Sequence, residues 1–337
     1  MANSGILLSL AAAAFAGLLS GVMTWAMRPL LLKVALAKPT ARSSHRIPTP
    51  QGAGIAVIAA TLIVAAGIIA VADPSDMKIP IAVFGATLFI AAVGFVDDVQ
   101  SIPVLPRLLL QAAAVVVIVL AAPENLQILP ICPLWLERGL LVLAGLWFVN
   151  LVNFMDGLDL MTVAEIVPIT GALVLLGWLG ELPAAATLAS AALFGAMLGF
   201  APFNRPVARI FLGDVGSLPI GLLVGWCLLH LAWYQEFAAA LLLPLYYLTD
   251  ATVTLFRRMA RGERFWAAHR THFYQRATDN GFSVRRVVSE VFALNAVLAA
   301  LAIGSVATSS TVVTGLLLLA GGVATAVLLY RFSRKRS

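Results

Sequence analysis

The chain has few charged side chains, only two cysteines and no long polar segment. Of its 337 residues, 11% are Asp, Glu, Lys or Arg and 61% are hydrophobic, which excludes an ordinary soluble globular protein. The cysteines, Cys132 and Cys227, lie in a loop and in an apolar run, so neither a disulfide nor a metal pair is indicated. The net charge of +6 is typical of basic loops at a membrane surface and is no evidence for a nucleic-acid partner.

Apolar runs of about 20 residues, the length of a helix that crosses a bilayer, recur along the whole chain. We therefore predict an all-α polytopic membrane protein that forms a single domain from residue 1 to residue 337, with about eleven transmembrane helices. The predicted spans lie near residues 5–27, 52–72, 79–96, 107–122, 139–155, 160–179, 184–202, 217–234, 237–257, 287–305 and 311–331.

The charges of the connecting loops predict an orientation. If the loop after the first helix is cytoplasmic, 20 of the 22 Lys and Arg residues lie on the cytoplasmic side, and only Lys78 and Arg138 lie outside. By the positive-inside rule, the N-terminus is predicted to be outside and the C-terminus inside. Nearly every residue capable of chemistry then lies in the cytoplasmic loops.

The segment NRPVARIFLGDVGSLPIG, residues 204–221, places one carboxylate, Asp214, at a predicted membrane boundary. An ionisable residue at such a position is by default a candidate functional residue. Gly213 and Gly216 allow backbone amides to approach a ligand closely. A helix N-terminus near Ser217 would favour a phosphate. The segment therefore predicts a phosphate-bearing, metal-linked substrate.

Two further loops contain carboxylates. In GFVDDVQSIP, the adjacent Asp97 and Asp98 repel each other unless a cation or a proton is shared, and their side chains diverge by about 100° on a helix. A solvated acidic helix end is the alternative interpretation.

In NLVNFMDGLDLM, the polar residues Asn150, Asn153 and Asp156 recur every three positions and are predicted to share one helix face, with Asp159 capping or binding beyond it. This pattern suits a polar ligand or support of a metal site, and a structural polar stripe is the alternative. Asp250 and Glu165 lie within predicted spans, close enough to the inner face to support such a site.

Two basic loops complete the set. ARSSHRIPTPQGAG offers His45 at a ligand entrance, with a proline-rich connector as the alternative. RRMARGERFWAAHRTHFYQR places His269 and His272 on one face of a predicted helix, with Arg270 between them. No cysteine or spare carboxylate completes a zinc site there, so contact with a pyrophosphate is favoured over zinc binding. Charge at the lipid surface is the alternative.

In their order and spacing, these five segments resemble the polyprenyl-phosphate N-acetylhexosamine-1-phosphate transferases of glycosyltransferase family 4 type. The resemblance extends from RSSHRIPTP to HRTHFYQR. It implies that carboxylates surround Mg²⁺ and the diphosphate, at Asp97, Asp98, Asp156 and Asp214. It also implies that Phe211 stacks on uracil and that Asn150, Asn153 and Asp159 surround the nucleotide. HRTH, instead of a run of adjacent histidines, favours the branch that initiates O-antigen over the muramoyl-pentapeptide branch.

The implied reaction is transfer of an N-acetylhexosamine-1-phosphate from a UDP-sugar to undecaprenyl phosphate at the cytoplasmic face of the bacterial inner membrane. UMP leaves, and the product begins O-antigen (lipopolysaccharide) or another cell-wall polysaccharide. Because phosphoryl transfer depends on positioning and charge neutralisation, we expect Asp214, with Asp98, to hold Mg²⁺, with Mn²⁺ as the alternative ion. A homodimer is compatible with this interpretation.

The remaining expected roles concern protons and charge. Asp97 is the candidate for accepting a proton from the lipid phosphate. His45 is expected to orient that phosphate. Charge on the transferred phosphate and on UMP is expected to be stabilised by Arg209, His269, Arg270 and His272.

Other classes of membrane protein remain alternatives. A secondary transporter or lipid flippase could share the spans, but transporters place coupling groups near the midplane, whereas these carboxylates cluster at one membrane face. A CDP-alcohol phosphotransferase also uses carboxylates at the membrane edge, but Asp156-Gly157 is not followed by the Ala-Arg pair of those enzymes. The sequence therefore favours the sugar-phosphate transferase.

Overall fold

A computed structural model of the chain describes residues 2–37, 48–72, 77–123, 126–264 and 269–335. Its helices are α1 Ala2–Val34, α2 Gly54–Ala72, α3 Lys78–Val99, α4 Val104–Ala121, α5 Leu134–Met155, α6 Met161–Trp178, α7 Ala184–Phe200, α8 Asp214–Trp233, α9 Phe237–Leu242, α10 Leu245–Ala260, α11 Phe273–Asp279, α12 Val284–Val306 and α13 Thr311–Phe332. Two short strands, β1 Leu36–Ala37 and β2 Thr49–Pro50, pair antiparallel. The predicted all-α class is confirmed.

Ten helices in these ranges are long and apolar enough to cross a membrane, which confirms the polytopic architecture. The predicted span over 237–257 differs from the others, because α9 and α10 divide it at Pro244. Proline has no N–H to donate and its ring crowds the preceding turn, so the helix is interrupted there. Cys132 and Cys227 are not joined by a disulfide.

Helix α8 lies at the centre of the bundle. In its most apolar stretch 89% of the residues are buried, against 22% for α1 and α13. It packs against α2, α3 and α5. It begins at Asp214, three residues before the predicted start near Ser217. Asp214 is therefore held in the first turn of the most buried helix, at the junction of four helices.

The loops that contain most of the candidate residues meet at one end of the bundle, here called the polar face. There Gln51 Nε2 donates to the Asp98 backbone carbonyl at 2.8 Å, and the Leu160 backbone amide donates to Asn204 Oδ1 at 2.6 Å. Asn280 Nδ2 donates to the carbonyl of Phe332 at 2.7 Å, which ties the end of α13 to the same face. Contacts between distant loops thus gather the candidate site.

Candidate active site

A cavity of about 590 Å³, here called the main cavity, lies at the polar face. Its polar lining residues are Arg107, Asn150, Asn153, Asp214, His269, His272 and Gln275. Its apolar lining residues are Val104, Leu108, Leu143, Leu146, Trp147, Phe154 and Leu255. Five of the predicted site residues are thereby brought together from three separate loops. The lining suits a ligand with one charged end and one apolar end.

Asp214 is held in place by the neighbouring helix α5. Asn153 Nδ2 donates to Asp214 Oδ1 at 2.7 Å and also to Ser217 Oγ at 2.9 Å. Asp214 Oδ2 lies 4.0 Å from an Arg107 guanidinium nitrogen, and the side chain is 28% exposed. The carboxylate is therefore oriented by one hydrogen bond, yet accessible to a ligand in the main cavity.

The adjacent carboxylates of α3 point to different partners, as their helical spacing predicts. Asp97 accepts from the Ile102 amide at 2.6 Å and from Arg107 at 2.6 Å. Asp98 accepts from the backbone amides of Asp214 and Val215, at 2.9 and 3.0 Å.

The N-terminus of α8 is thus occupied by a carboxylate from the protein itself. The sequence predicts a helix N-terminus near Ser217 that favours a phosphate; the helix begins at Asp214 instead, and Asp98 accepts from its first two amides. The amides of Gly216 and Ser217 both donate to the carbonyl of Gly213. A helix N-terminus favours any anion, and here a side chain from α3 supplies it.

The residues around Asp214 fit Mg²⁺ better than a metal held by protein ligands alone. Among the described residues, no group of three or more His, Cys, Asp or Glu side chains could hold a metal ion. Mg²⁺ is usually bound by one or two carboxylates together with substrate phosphates and waters. The Asp97 and Asp214 carboxyl groups interact directly, and a shared cation would relieve their repulsion. Mg²⁺ at Asp214 and Asp98 remains a prediction.

Asp156 does not lie on the face of α5 that carries Asn150 and Asn153. The helix ends at Met155, so Asp156 leaves the helical direction, and the prediction of one polar stripe is wrong for this residue. Its carboxyl accepts from the Thr162 hydroxyl, and it is not among the residues lining the main cavity. Asp159 Oδ2 accepts from the Ala208 amide at 3.0 Å. The nucleotide contacts implied for both remain predictions.

Burial raises the pKa of Asp156 to about 7, with the nearby Asp98 and Asp159 charges adding to the effect. Because this pKa is higher than in the unfolded chain, the folded protein binds the extra proton between about pH 4 and 7. The free energy of unfolding should therefore fall as the pH rises through this window, by at most about 1.4 kcal/mol per pH unit. We expect Asp156→Asn to remove this slope. Melting temperatures in detergent from pH 5 to 8 measure it, and an unchanged slope would contradict the assignment.

The HRTH segment is extended, not helical, because α11 begins only at Phe273. The predicted shared helix face of His269 and His272 is therefore wrong, although their rings lie 4.8 Å apart between centroids. Burial, followed by the neighbouring His272 and Arg258, lowers the pKa of His269 to about 4. At neutral pH, His269 can donate or accept a hydrogen bond but carries no charge.

Asp250, which the sequence places within an apolar span, anchors this segment. Its carboxylate accepts from the amides of Phe273 and Tyr274, at 3.0 and 3.2 Å. His272 Nδ1 lies 3.2 Å from the same carboxylate. Asp250 is fully buried. It therefore fixes the position of His272 at the edge of the main cavity, in agreement with the supporting role predicted for it.

Among the described residues, Arg270, Arg209 and Phe211 are not in the lining of the main cavity, and neither are Asp97 and Asp98. Arg270 pairs with Asp279 at 2.9 Å and donates to Thr278 at 3.0 Å, which directs it along α11. Arg209 is exposed. The backbone of Phe211 bonds to residues 50–53, next to the start of α2. His45 lies outside the described residues. The roles of these residues remain predictions.

Sequence reasoning missed Arg107, Gln111 and Gln275. Arg107 lies in the first turn of α4, and Gln111 follows one turn later and accepts from Asn150 Nδ2 at 2.7 Å. The sequence did contain a signal for Arg107 and Gln111, because two polar side chains four residues apart in an apolar span are candidate functional residues. Gln275 lines the main cavity, and its Oε1 has no hydrogen-bond partner among the described residues.

Fold and site together define a polytopic membrane protein with a cavity at one face that combines carboxylates, a guanidinium group and apolar walls. The sequence model of the family described as "Glycosyl transferase family 4" matches residues 80–232. This range includes Asp97, Asp98, Arg107, Asn153 and Asp214.

Curated relatives agree with this match. The decaprenyl-phosphate N-acetylglucosaminephosphotransferase of Mycolicibacterium smegmatis is 27% identical over 87% of this chain and 82% of the relative. The phospho-N-acetylmuramoyl-pentapeptide-transferase of Rickettsia rickettsii is 26% identical over 77% of this chain and 80% of the relative. That of Shouchella clausii is 42% identical, but the match spans about a quarter (26%) of each protein. The family model and these relatives thus make the chain similar to polyprenyl-phosphate hexosamine-1-phosphate transferases.

Proposed function

We propose that the protein transfers an N-acetylhexosamine-1-phosphate, with N-acetylglucosamine or a related 2-acetamido sugar, from a UDP-sugar to undecaprenyl phosphate. The observation that carries this proposal is that the main cavity is lined by both charged and apolar side chains. A polyprenyl phosphate has one charged phosphate and a long apolar tail. Arg107 and Asp214 line the same cavity as Leu108, Leu143 and Leu146. Both substrates can then meet beside Asp214.

In the proposed reaction, an oxygen of the lipid phosphate attacks the phosphorus linked to the sugar. The bond from this phosphorus to UMP breaks, and UMP leaves with the electron pair. The product is the undecaprenyl diphosphate sugar. Asp214, with Asp98, would hold Mg²⁺, which when bound supplies neutralisation of the diphosphate charge.

The chain's own residues orient and neutralise the phosphates. Arg107 presents a guanidinium group beside Asp214, and such groups bind phosphate through paired hydrogen bonds. Asn153 keeps Asp214 in one orientation. His269 is neutral and can donate a hydrogen bond to a phosphate oxygen. Asp97 is paired with Arg107. It becomes available to accept a proton when Arg107 turns to a phosphate.

The relatives and the loop charges support the finer parts of the proposal. The name of the Mycolicibacterium smegmatis relative combines a polyprenyl phosphate with N-acetylglucosamine phosphate transfer, and this relative is matched over 82% of its length. The distribution of Lys and Arg favours a polar face on the cytoplasmic side, and the bacterial sources of the relatives favour the inner membrane. We propose O-antigen or another cell-envelope polysaccharide as the destination of the product.

The test is incubation of the purified protein with undecaprenyl phosphate and Mg²⁺. The donors are UDP-N-acetylglucosamine, UDP-N-acetylgalactosamine and UDP-N-acetylmuramoyl-pentapeptide. We expect UMP and a lipid-linked sugar diphosphate with a simple UDP-N-acetylhexosamine. If product formed only with UDP-N-acetylmuramoyl-pentapeptide, the donor would be this compound and not a simple UDP-N-acetylhexosamine. No UMP with any donor would contradict the transferase proposal and favour a transporter or lipid flippase.

A further inference from the structure

A second cavity, of about 290 Å³ and here called the basic cavity, lies beside the segment that carries His269 and His272. It is lined by Thr254, Arg257, Arg261, Thr271 and Arg276. The main cavity uses other residues of the same segment, namely His269, His272 and Gln275. The two cavities therefore share a wall, but they have no lining residue in common.

In the part of the chain that the structure describes, two of the three guanidinium groups of the basic cavity have no acidic partner. Arg257 and Arg276 both lie against the Phe273 ring, 4.6 and 6.0 Å from its centroid. In the described part of the chain, neither has a carboxylate oxygen within 4.0 Å, and Arg261 has only a contact of 3.9 Å with Glu263. The neighbouring residues 265–268 contain no Asp or Glu. An anion between these groups would relieve their mutual repulsion.

The surface around the basic cavity combines positive charge with exposed apolar side chains. On α10, Phe256 is 62% exposed and Met259 is 48% exposed, and they stand next to the exposed Arg257 and Arg261. Apolar side chains with adjacent arginines are typical of a helix at the boundary between lipid tails and headgroups. A lipid phosphate lies at this depth, which makes a membrane lipid the favoured source of the anion.

We propose that the basic cavity binds the phosphate group of an anionic membrane lipid. The three arginines would neutralise the phosphate, and the Thr271 hydroxyl would donate a hydrogen bond, whereas the Thr254 hydroxyl donates to Asp250 Oδ1 at 3.3 Å. Thr271 Oγ1 also lies 2.9 Å from Nδ1 of His269, which lines the main cavity. An occupied basic cavity would therefore hold His269 in place. This inference does not depend on the proposed function.

The test is a titration of the detergent-solubilised full chain with dioleoylphosphatidylglycerol, followed by melting temperature. Dioleoylphosphatidylcholine and inorganic phosphate are titrated in parallel. We expect saturable stabilisation by the anionic lipid. Arg257→Gln and Arg276→Gln should each weaken it by about tenfold, the loss of one charge-assisted phosphate contact. The matched control is Arg264→Gln, which removes an equal charge from the same loop but does not line the basic cavity.

The outcomes separate the two sources of phosphate. Saturation by phosphatidylglycerol, with no response to inorganic phosphate at the same concentration, supports the lipid. Saturation by inorganic phosphate alone would replace the lipid with a soluble phosphate compound and so overturn the lipid proposal. If Arg264→Gln weakened binding of phosphatidylglycerol as much as the cavity variants do, general surface charge would explain the binding. If Arg257→Gln and Arg276→Gln both kept full affinity for the lipid, the basic cavity would not be its binding site. Either result would overturn the proposal.

Discussion

Replacing Asp214 with Asn is expected to lower kcat by about 1,000-fold or more, because a carboxylate that would hold Mg²⁺ beside the transferred phosphate is lost. The fold should survive the change. An amide oxygen at this position can still accept the hydrogen bond that Asn153 Nδ2 donates to Asp214 Oδ1 at 2.7 Å. Release of UMP measures the activity, and the melting temperature in detergent measures the fold.

A carboxylate near the opposite end of the same helix provides the control. Glu236 lies just beyond the C-terminus of α8, and we expect Glu236→Gln to change kcat by less than about twofold. Binding of Mn²⁺, followed by electron paramagnetic resonance, separates loss of the ion from loss of chemistry. We expect weaker Mn²⁺ binding in Asp214→Asn only. Near-normal turnover by a folded Asp214→Asn protein would remove this residue from the site.

Features with a local physical cause could be predicted from the sequence. The spans follow from the length and hydrophobicity of each run. The divergence of Asp97 and Asp98 follows from the rotation between successive helical residues. The clustering of Asp214 with Asn153 at one face follows from the alternating direction of successive spans.

Features that depend on helix ends were predicted less well. The three-residue repeat of Asn150, Asn153 and Asp156 would share one face only if the helix continued through Asp156. The helix stops at Met155, where the chain turns and Asp156 finds the Thr162 hydroxyl instead. Similarly, α11 begins only after the HRTH segment. His269 and His272 therefore do not lie on a helix, and the prediction that they share a helix face failed. The exact residue at which a helix ends depends on the contacts of the following loop.

The individual hydrogen bonds and ion pairs between distant segments could not be predicted. Asp98 and the amide of Asp214 are 116 residues apart in the chain, and no local pattern indicates that one would cap the helix that the other begins. Arg107 likewise gains its role only because the turn after α3 brings it back against Asp97. These pairings are properties of the packed bundle. They also make the site sensitive to the distance between α3 and α8.

That distance is set by Gly94, one turn before the carboxylates of α3. A methyl group at this position would overlap the backbone carbonyl of Asp214, so Ala would push α3 away from the start of α8. Asp98 would then lose its bonds to the amides of Asp214 and Val215, now 2.9 and 3.0 Å long. We expect Gly94→Ala to lower kcat by about 100-fold, since a displacement near 1 Å can misalign reacting groups to this extent.

Gly85 is the matched control, because it lies on the same helix and no atom would come within 4 Å of an added methyl group. Gly85→Ala should leave activity unchanged and raise stability slightly, since Ala favours a helix over Gly by about 0.5–1 kcal/mol. UMP release and melting temperature are measured for both variants. If Gly94→Ala matched Gly85→Ala in both, close packing of α3 on α8 would not control the site. If its activity fell further than its folded fraction, the position of Asp98 and Asp214 would be the property that was lost.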